Sequence, residues 1–354
     1  MGRDKCPDFF IQSDYNQEMT ILPIPSFFDA KKVGDVWRVP YEERAQQARD
    51  WALQHKLEAA SVSKANNWLL LIDVQNTFCN PEFELFVAGR SGRGAVEDNV
   101  RLSEFIYHNL GNITNITATM DTHMAQQVFH AIFFVDKEGN HPTPYTDIHV
   151  DELKSGEWKF NPGLASHFDI APEYGQQMMI HYAEELSKKG KYALTIWPYH
   201  AMLGGIGHAL VSSVEEAVYF HSMARLSQPE IDIKGNKPFT EHYSVIGPEV
   251  LRGPMGEPLG EHDSKYIEML KQADKLIIAG QAKSHCVAWT VSDLLDDILT
   301  TDKSLAQKVY LLEDCTSPVV VPGADFTDAA NAAYERFFEA GMNIVSSKDN
   351  FLNN

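Results

Sequence analysis

The sequence contains little cysteine and has no long apolar run. Its 354 residues include four cysteines, at positions 6, 79, 286 and 315, which are unevenly spaced and form no C-x-x-C pair. A disulfide framework is therefore not expected, and no signal-like apolar segment opens the chain, so we expect a protein of the reducing cytoplasm. No stretch is long and apolar enough to predict a transmembrane helix, so we expect no membrane partner.

Positive charge is also scarce. Lys and Arg total 30 against 49 Asp and Glu, which gives a formal net charge of −19. Such a field repels nucleic acid, so we expect no nucleic-acid partner. No G-x-G-x-x-G follows the first apolar strand, which argues against a dinucleotide-binding enzyme. The hydrophobic share of 44% and the charged share of 22% are typical of a folded globular protein.

Short apolar strands alternate with helical segments through most of the chain. We predict six strands, at residues 68–74, 115–121, 192–196, 276–279, 309–312 and 343–345. The short segment Ile231–Ile233 is also predicted to be extended, but we leave it outside this count. The alternation predicts an α/β fold with three layers, α/β/α, around a six-stranded, mainly parallel, doubly wound sheet.

Domain organisation is predicted from changes in this pattern. Residues 1–66 are interpreted as an N-terminal extension packed on the core, and residues 67–354 as one domain. Within that domain, residues from about 131 to about 190 form an aromatic-rich insertion without a clear period, which we expect to serve as a lid or a dimer contact.

A cysteine stands at the start of a predicted helix. Cys286 follows the apolar run Leu276–Ala279 and begins an apolar-periodic segment. The positive end of a helix dipole favours the thiolate over the thiol, so this position suits a nucleophile. The alternative is an inert packed cysteine, since free cysteine is among the most buried residue types.

Two further candidate side chains lie at the ends of predicted extended segments. Asp73 lies near the end of the run WLLLIDV, and Lys234 directly follows Ile231–Ile233. Ligands of open α/β sheets sit at the carboxyl ends of strands, which places both side chains where chemistry is expected. A turn-capping aspartate and a solvated lysine are the alternatives.

Carboxylate and imidazole groups form a third set of candidates. Asp121 and His123 are two residues apart on an extended segment, so both side chains can point towards one metal ion. His200 falls just past another predicted strand, and His130 follows His123 by seven residues. A single D-x-H motif is weak evidence for a metal site.

Several motifs occur in a fixed order between residues 67 and 346. They are LLLIDVQNTFC (69–79), MDTH (120–123), HAIF (130–133), WPYHAMLGGIG (197–207), IKG followed by EHYS (241–244), GQAKSHCV (280–287) and EDCTS (313–317). In this order and spacing they resemble the isochorismatase-like cysteine hydrolases, and most closely the nicotinamidases.

The resemblance implies a catalytic triad of Asp73, Lys234 and Cys286. Asp73 would take the thiol proton, Lys234 would hold the negative charge, and Cys286 would attack an amide carbonyl to give a thioester. The resemblance also implies a cis peptide between Gln281 and Ala282. It further implies an oxyanion site formed by the backbone N–H groups of Ala282 and Cys286.

The resemblance also implies a metal and an aromatic pocket. One divalent ion, with zinc as the default and iron or manganese as alternatives, would be held by Asp121, His123 and His200, with His130 as a candidate fourth ligand. Three aromatic residues would enclose a flat ring, and these are Phe78, Trp197 and Tyr243.

These implications define the expected function. We expect a cysteine-dependent amidohydrolase that converts a small amide, with nicotinamide as the first candidate, into the acid and ammonia. The alternatives are hydrolysis of another small amide or of a ureido or carbamoyl compound, and a catalytically silent binding protein on the same fold. Many family members assemble, so we expect a homo-oligomer.

The chain departs from the family pattern near the nucleophile. Gln281, Lys283 and Ser284 stand where small apolar, Thr and Asp residues are usual, and Ala201 stands where a cysteine usually follows the metal histidine. We expect these departures to affect which acyl group the site accepts.

Overall fold

The structure is a computed structural model that describes residues 21–321 and 323–352. Residues 1–20, with Cys6 and the start of the predicted extension, lie outside the described residues. The described helices are α1 Tyr41–His55, α2 Asn76–Cys79, α3 Gly94–His108, α4 Val150–Ser155, α5 Pro172–Lys188, α6 Ser212–Arg225, α7 Lys265–Gln272, α8 Cys286–Thr301 and α9 Thr327–Glu339. The described strands are β1 Asn67–Ile72, β2 Asn115–Asp121, β3 Phe134–Val135, β4 Asp147–Ile148, β5 Lys159–Phe160, β6 Leu194–Thr195, β7 Glu230–Lys234, β8 Lys275–Gly280, β9 Val309–Leu312, β10 Val320–Val321, β11 Ala324–Asp325 and β12 Asn343–Val345.

A six-stranded sheet forms the middle layer, in the order β12-β9-β8-β1-β2-β7. Each neighbouring pair in it is parallel. Successive side chains of a strand point to opposite faces, and β1 shows this directly. Leu69 and Leu71 join an apolar cluster with α1, α3 and α6, whereas Leu70 and Ile72 join one with α7, α8 and α9. The predicted three-layer α/β/α fold is therefore confirmed.

One of the six strands predicted for the central sheet is wrong, because it belongs to a different sheet. Leu194–Thr195, inside the predicted strand 192–196, pairs antiparallel with Asp147–Ile148 in a separate two-stranded sheet. The sixth place in the central sheet belongs to β7, which pairs parallel with β2. A short apolar run does not reveal which sheet it joins. The segment of β7 lacks the continuous apolar run typical of a central parallel strand, because β7 is an edge strand on which Ile231 and Ile233 are exposed.

The insertion contains regular structure that the sequence analysis did not predict. Helix α5, with 17 residues, begins with a proline in its first turn, where a missing N–H costs nothing. Its buried residues include Gly175, Met178, Met179 and Tyr182, which lie along one helical face. Met178, Met179 and Tyr182 belong to the same apolar cluster as Leu70 and Ile72, so the insertion is built into the core.

The described part of the N-terminal extension packs on α6. The side chain of Arg44 in α1 lies 2.8 Å from a carboxylate oxygen of Glu216. The backbone N–H of Trp37 donates to the hydroxyl of Ser212 over 2.9 Å. Among the helices of residues 21–321 and 323–352, none has the length and apolar character needed to cross a membrane.

Gly280 determines how closely β8 approaches β1 at the carboxyl edge of the sheet. It pairs with Ile72 and has a φ of 120°, a conformation that side chains strongly disfavour. A Cβ added there would lie 2.0 Å from the carbonyl oxygen of Ile72. That same carbonyl accepts the N–H of Gln281 over 2.8 Å, so the glycine sets the start of the turn that leads to Cys286.

We predict that Gly280→Ala destabilises the protein by at least about 3 kcal/mol, because it combines backbone strain with a clash against the Ile72 carbonyl. Gly92→Ala is the matched control, since Gly92 also has a positive φ, of 79°, but nothing lies within 4 Å of an added Cβ. That variant should lose only about 1 kcal/mol. Equal losses in denaturant unfolding would contradict the close approach.

Candidate active site

Cys286 is the first residue of α8 and lies almost entirely buried at the carboxyl edge of the sheet. In this position burial opposes the effect expected of the helix start. Burial raises the pKa of the Cys286 thiol well above its usual value, and the positive charge of Lys234 only partly opposes this. The cysteine therefore needs a base to remove its proton.

Lys234 occupies the end of β7 and joins several groups of the site. Its ammonium lies 2.8 Å from a carboxylate oxygen of Asp73 and 3.0 Å from one of Asp121. It also donates to the carbonyl oxygen of His242 over 2.9 Å and lies 3.6 Å from the sulfur of Cys286. Burial favours the neutral amine, but the two carboxylates outweigh it and hold the pKa of Lys234 well above its usual range.

Asp73 directly follows β1 and is fully buried, with a φ of 47°. The Thr119 hydroxyl donates to one of its carboxylate oxygens over 2.5 Å, and the Asp73 backbone N–H donates to the same hydroxyl. Burial raises the pKa of Asp73, against the lowering effect of Lys234. A carboxyl with a raised pKa beside a thiol can accept the thiol proton and later return it.

The turn before Cys286 offers two backbone donors. The peptide bond between Gln281 and Ala282 is cis, at the position that the resemblance gives for it. Within the described part of the chain, no hydrogen-bond acceptor is found for the N–H of Ala282 or of Cys286. The first N–H groups of a helix have no partner inside the helix, so the Cys286 N–H is available to a ligand. Both donors suit the binding of a developing oxyanion.

Asp121, His123 and His200 form the candidate metal centre. One ligand atom from each lies within 4.8 Å of the others, and all three side chains are buried. The Nδ1 atoms of His123 and His200 lie 3.0 and 2.7 Å from backbone carbonyl oxygens, of Gly235 and Pro198. Such contacts place the proton on Nδ1 and leave Nε2 as the metal-binding atom.

The contacts inside this group favour a cation. The second carboxylate oxygen of Asp121 lies 2.8 Å from Nε2 of His123 and 3.7 Å from Nε2 of His200. With their protons on Nδ1, both Nε2 atoms are acceptors facing an anionic oxygen, which is stable only if a proton or a metal ion lies between them. A carboxylate with two imidazoles fits a divalent metal such as zinc.

His130 lies near this group but outside it. Its ring centroid is 6.0 Å from that of His123 and 6.3 Å from that of His200. Burial lowers the pKa of His130 to about 3, so the imidazole is neutral. Its Nδ1 lies 3.1 Å from the Ala125 carbonyl oxygen, whereas its buried Nε2 has no partner among the described residues. His130 stays a candidate fourth ligand.

A small cavity joins the cysteine to the candidate metal centre. About 40 Å³ of it is accessible to the centre of a water molecule, which suits a ligand of few atoms. Phe78, Trp197 and Tyr243 line it together with Cys286. The indole N–H of Trp197 donates to the hydroxyl of Tyr243 over 3.1 Å, which fixes the two rings relative to each other.

Sequence reasoning missed several residues of this cavity. Glu241, His242 and His285 line it as well. Glu241 and His242 precede Tyr243 in the motif EHYS, and His285 precedes Cys286. Their position next to predicted site residues was the only sign in the sequence that they belong to the cavity. The ring of His285 lies 5.8 Å from that of Trp197 and 5.3 Å from that of Tyr243.

Comparison with known proteins finds solved structures of nicotinamidases and pyrazinamidases. No family model and no curated protein matches the chain. A nicotinamidase and pyrazinamidase from Acinetobacter baumanii is 18% identical over 81% of this chain and 99% of its own, with a TM-score of 0.47. The yeast nicotinamidase is 18% identical over 79% and 99%, with a TM-score of 0.48. A pyrazinamidase of Pyrococcus horikoshii in complex with zinc is 16% identical over 79% and 99%, with a TM-score of 0.40.

These structures come from the enzyme group that the sequence motifs resemble. Identities of 16 to 18% with TM-scores below 0.5 carry no argument about triad, metal or substrate. Those arguments rest on the side-chain geometry of this chain.

We predict that the protein purified without chelator carries a stoichiometric divalent metal in elemental analysis, and that His123→Ala and His200→Ala lose most of it, because each removes one of three ligands. His262→Ala is the control, since His262 is partly exposed and pairs with Asp297 instead. Full metal content in the His200 variant would contradict the site.

We also predict that alkylation of Cys286 by iodoacetamide accelerates steadily from pH 7 to pH 9. The raised pKa leaves little thiolate at neutral pH, and the thiolate fraction grows as the pH rises. Peptide mapping separates Cys286 from Cys79 and Cys315, which have no exposed surface and should stay unlabelled in the folded protein. A rate already constant from pH 7 would indicate a preformed thiolate and contradict the prediction.

Proposed function

We propose that this protein is a cysteine amidohydrolase that cleaves a small planar amide, with nicotinamide as the first candidate, to the carboxylic acid and ammonia. The supporting observation is the contact of Lys234 with both Asp73 and Cys286 at the carboxyl edge of the sheet, where Cys286 lines a small cavity. An acid, a cation and a thiol in contact are the groups that hydrolysis through a cysteine nucleophile needs, and two backbone N–H donors beside the thiol have no acceptor among the described residues.

In the first half-reaction Asp73 accepts the thiol proton as the sulfur of Cys286 attacks the amide carbonyl. The carbonyl oxygen becomes an oxyanion that accepts hydrogen bonds from the N–H groups of Ala282 and Cys286. Lys234 compensates the negative charge that Asp73 and the thiolate would otherwise share. The C–N bond then breaks, and Asp73 returns the proton to the nitrogen as ammonia leaves, which yields a thioester.

In the second half-reaction Asp73 takes a proton from water, and the resulting nucleophile attacks the thioester carbon. The same backbone donors stabilise the second oxyanion. The C–S bond breaks, the proton returns to the sulfur of Cys286, and the free acid leaves. Lys234 remains a cation throughout, since its pKa is raised by Asp121 and Asp73.

The metal and the aromatic walls serve to position the substrate. Asp121, His123 and His200 would hold a divalent ion, which supplies a Lewis-acidic point of attachment for a ring nitrogen or a water. Trp197 and Tyr243, held together by their hydrogen bond, present aromatic surface to a flat ring. The small volume of the cavity favours a single-ring amide over a peptide.

The test is ammonia release from a panel of amides, with and without a chelator. Nicotinamide should be hydrolysed, and Cys286→Ala should lower kcat by at least about 10³-fold while circular dichroism and unfolding stay unchanged. Cys315→Ala is the matched control, because this cysteine is also buried but absent from the cavity lining. If only ureido or carbamoyl compounds are turned over, they are the substrate class and small aromatic amides are not. If nothing is turned over, the result favours a catalytically silent binding protein.

A further inference from the structure

The turn that carries the Ala282 N–H is held by the side chain of Gln281. This side chain is almost completely buried. Its amide nitrogen donates to a carboxylate oxygen of Asp98 in α3 over 2.8 Å. Its amide oxygen accepts the backbone N–H of Ser317, after β9, over 3.2 Å. One side chain thus links the turn to two different elements of the fold.

Neighbouring contacts make these two anchors firm. Asp98 is buried in α3, and its other carboxylate oxygen lies 2.8 Å from the guanidinium of Arg101. Ser317 packs against the start of α3, where a Cβ added to Gly94 would lie 2.5 Å from its hydroxyl. The backbone N–H of Lys283 donates to the carbonyl of Ser317 over 2.8 Å, so Ser317 binds the turn on both sides of Ala282.

These contacts surround the residue that supplies the oxyanion donor. Gln281 and Lys283 are both tied to Ser317, while Ala282 between them keeps its N–H free of any acceptor in the described chain. The Gln281 backbone N–H is also fixed, by the carbonyl of Ile72 over 2.8 Å. Donors act on a transition state in proportion to how well they are oriented before the reaction.

We propose that Gln281 is a positioning residue that orients the Ala282 N–H towards the oxyanion through Asp98 and Ser317. The inference rests on the proposed function, since it assigns the residue a part in that reaction. It also gives a physical role to a position where the chain departs from the family pattern. A small apolar residue there could make neither contact.

The main test uses an exchange of the two side chains. Gln281→Glu alone sets two carboxylates against each other. Asp98→Asn alone replaces one of the two carboxylate oxygens that accept from the Gln281 amide and from Arg101, so one of these contacts is lost. In the double variant the amide introduced at position 98 can donate to the carboxylate introduced at position 281 and accept from Arg101. That carboxylate can still accept the N–H of Ser317. We expect each single variant to lower kcat by about 10- to 100-fold with little change in KM, and the double variant to recover most of it.

Gln281→Leu completes the set by removing both contacts at similar side-chain volume. It should lower kcat to a similar extent, while the rate of Cys286 alkylation by iodoacetamide stays at the wild-type value, because that reaction forms no oxyanion. Asn67→Leu is the matched control. Asn67 is also buried and donates to the Asn112 carbonyl over 3.0 Å, but it lies at the opposite end of β1, so its loss should cost stability and leave kcat unchanged.

The outcomes separate the two proposals. If the wild type hydrolyses amides and Gln281→Leu retains its kcat, the positioning role is refuted and the amidase stands. If alkylation of Cys286 falls in parallel with kcat, or if the exchange gives no recovery, Gln281 supports the general structure of the site and the inference is also refuted. If the wild type hydrolyses no amide, the amidase proposal fails, and the inference that depends on it fails as well.

Discussion

The ion pairing of the buried Lys234 ammonium is the interaction on which the site depends. Asp73 and Asp121 could not both remain ionised beside a thiol in a dry interior without a cation between them. Lys234 contacts both carboxylates at 2.8 and 3.0 Å and approaches the sulfur of Cys286 at 3.6 Å. Asp121 in turn faces His123 with its second oxygen. The charged groups around Cys286 and the candidate metal centre are therefore one electrostatic unit, joined through Asp121.

The parallel sheet brings this unit together. Asp121 and Lys234 are direct partners in the register of β2 and β7, and Ile72 and Gly280 are partners in β1 and β8. All four strands deliver their carboxyl ends to the same edge, where Asp121 and Lys234 are buried. The edge strand β7 places the Lys234 cation at this end of the sheet.

The second feature on which the site depends is the set of hydrogen bonds that holds the turn before Cys286. The chain lacks the residues usual at this turn in the family it resembles, yet the turn is held by Gln281, Asp98 and Ser317. Burial raises the pKa of the Cys286 thiol, and the Asp73 carboxyl, whose pKa burial also raises, lies beside it.

The sequence by itself determined the fold class, the helix that begins at Cys286, and the candidate residues at strand ends, because hydrophobic periodicity and chain order are local properties. Only the tertiary structure decided which strand closes the sheet, that α5 belongs to the core, and that Glu241, His242 and His285 line the cavity. Burial, sheet membership and ion pairing arise between segments far apart in the chain, so no local pattern encodes them.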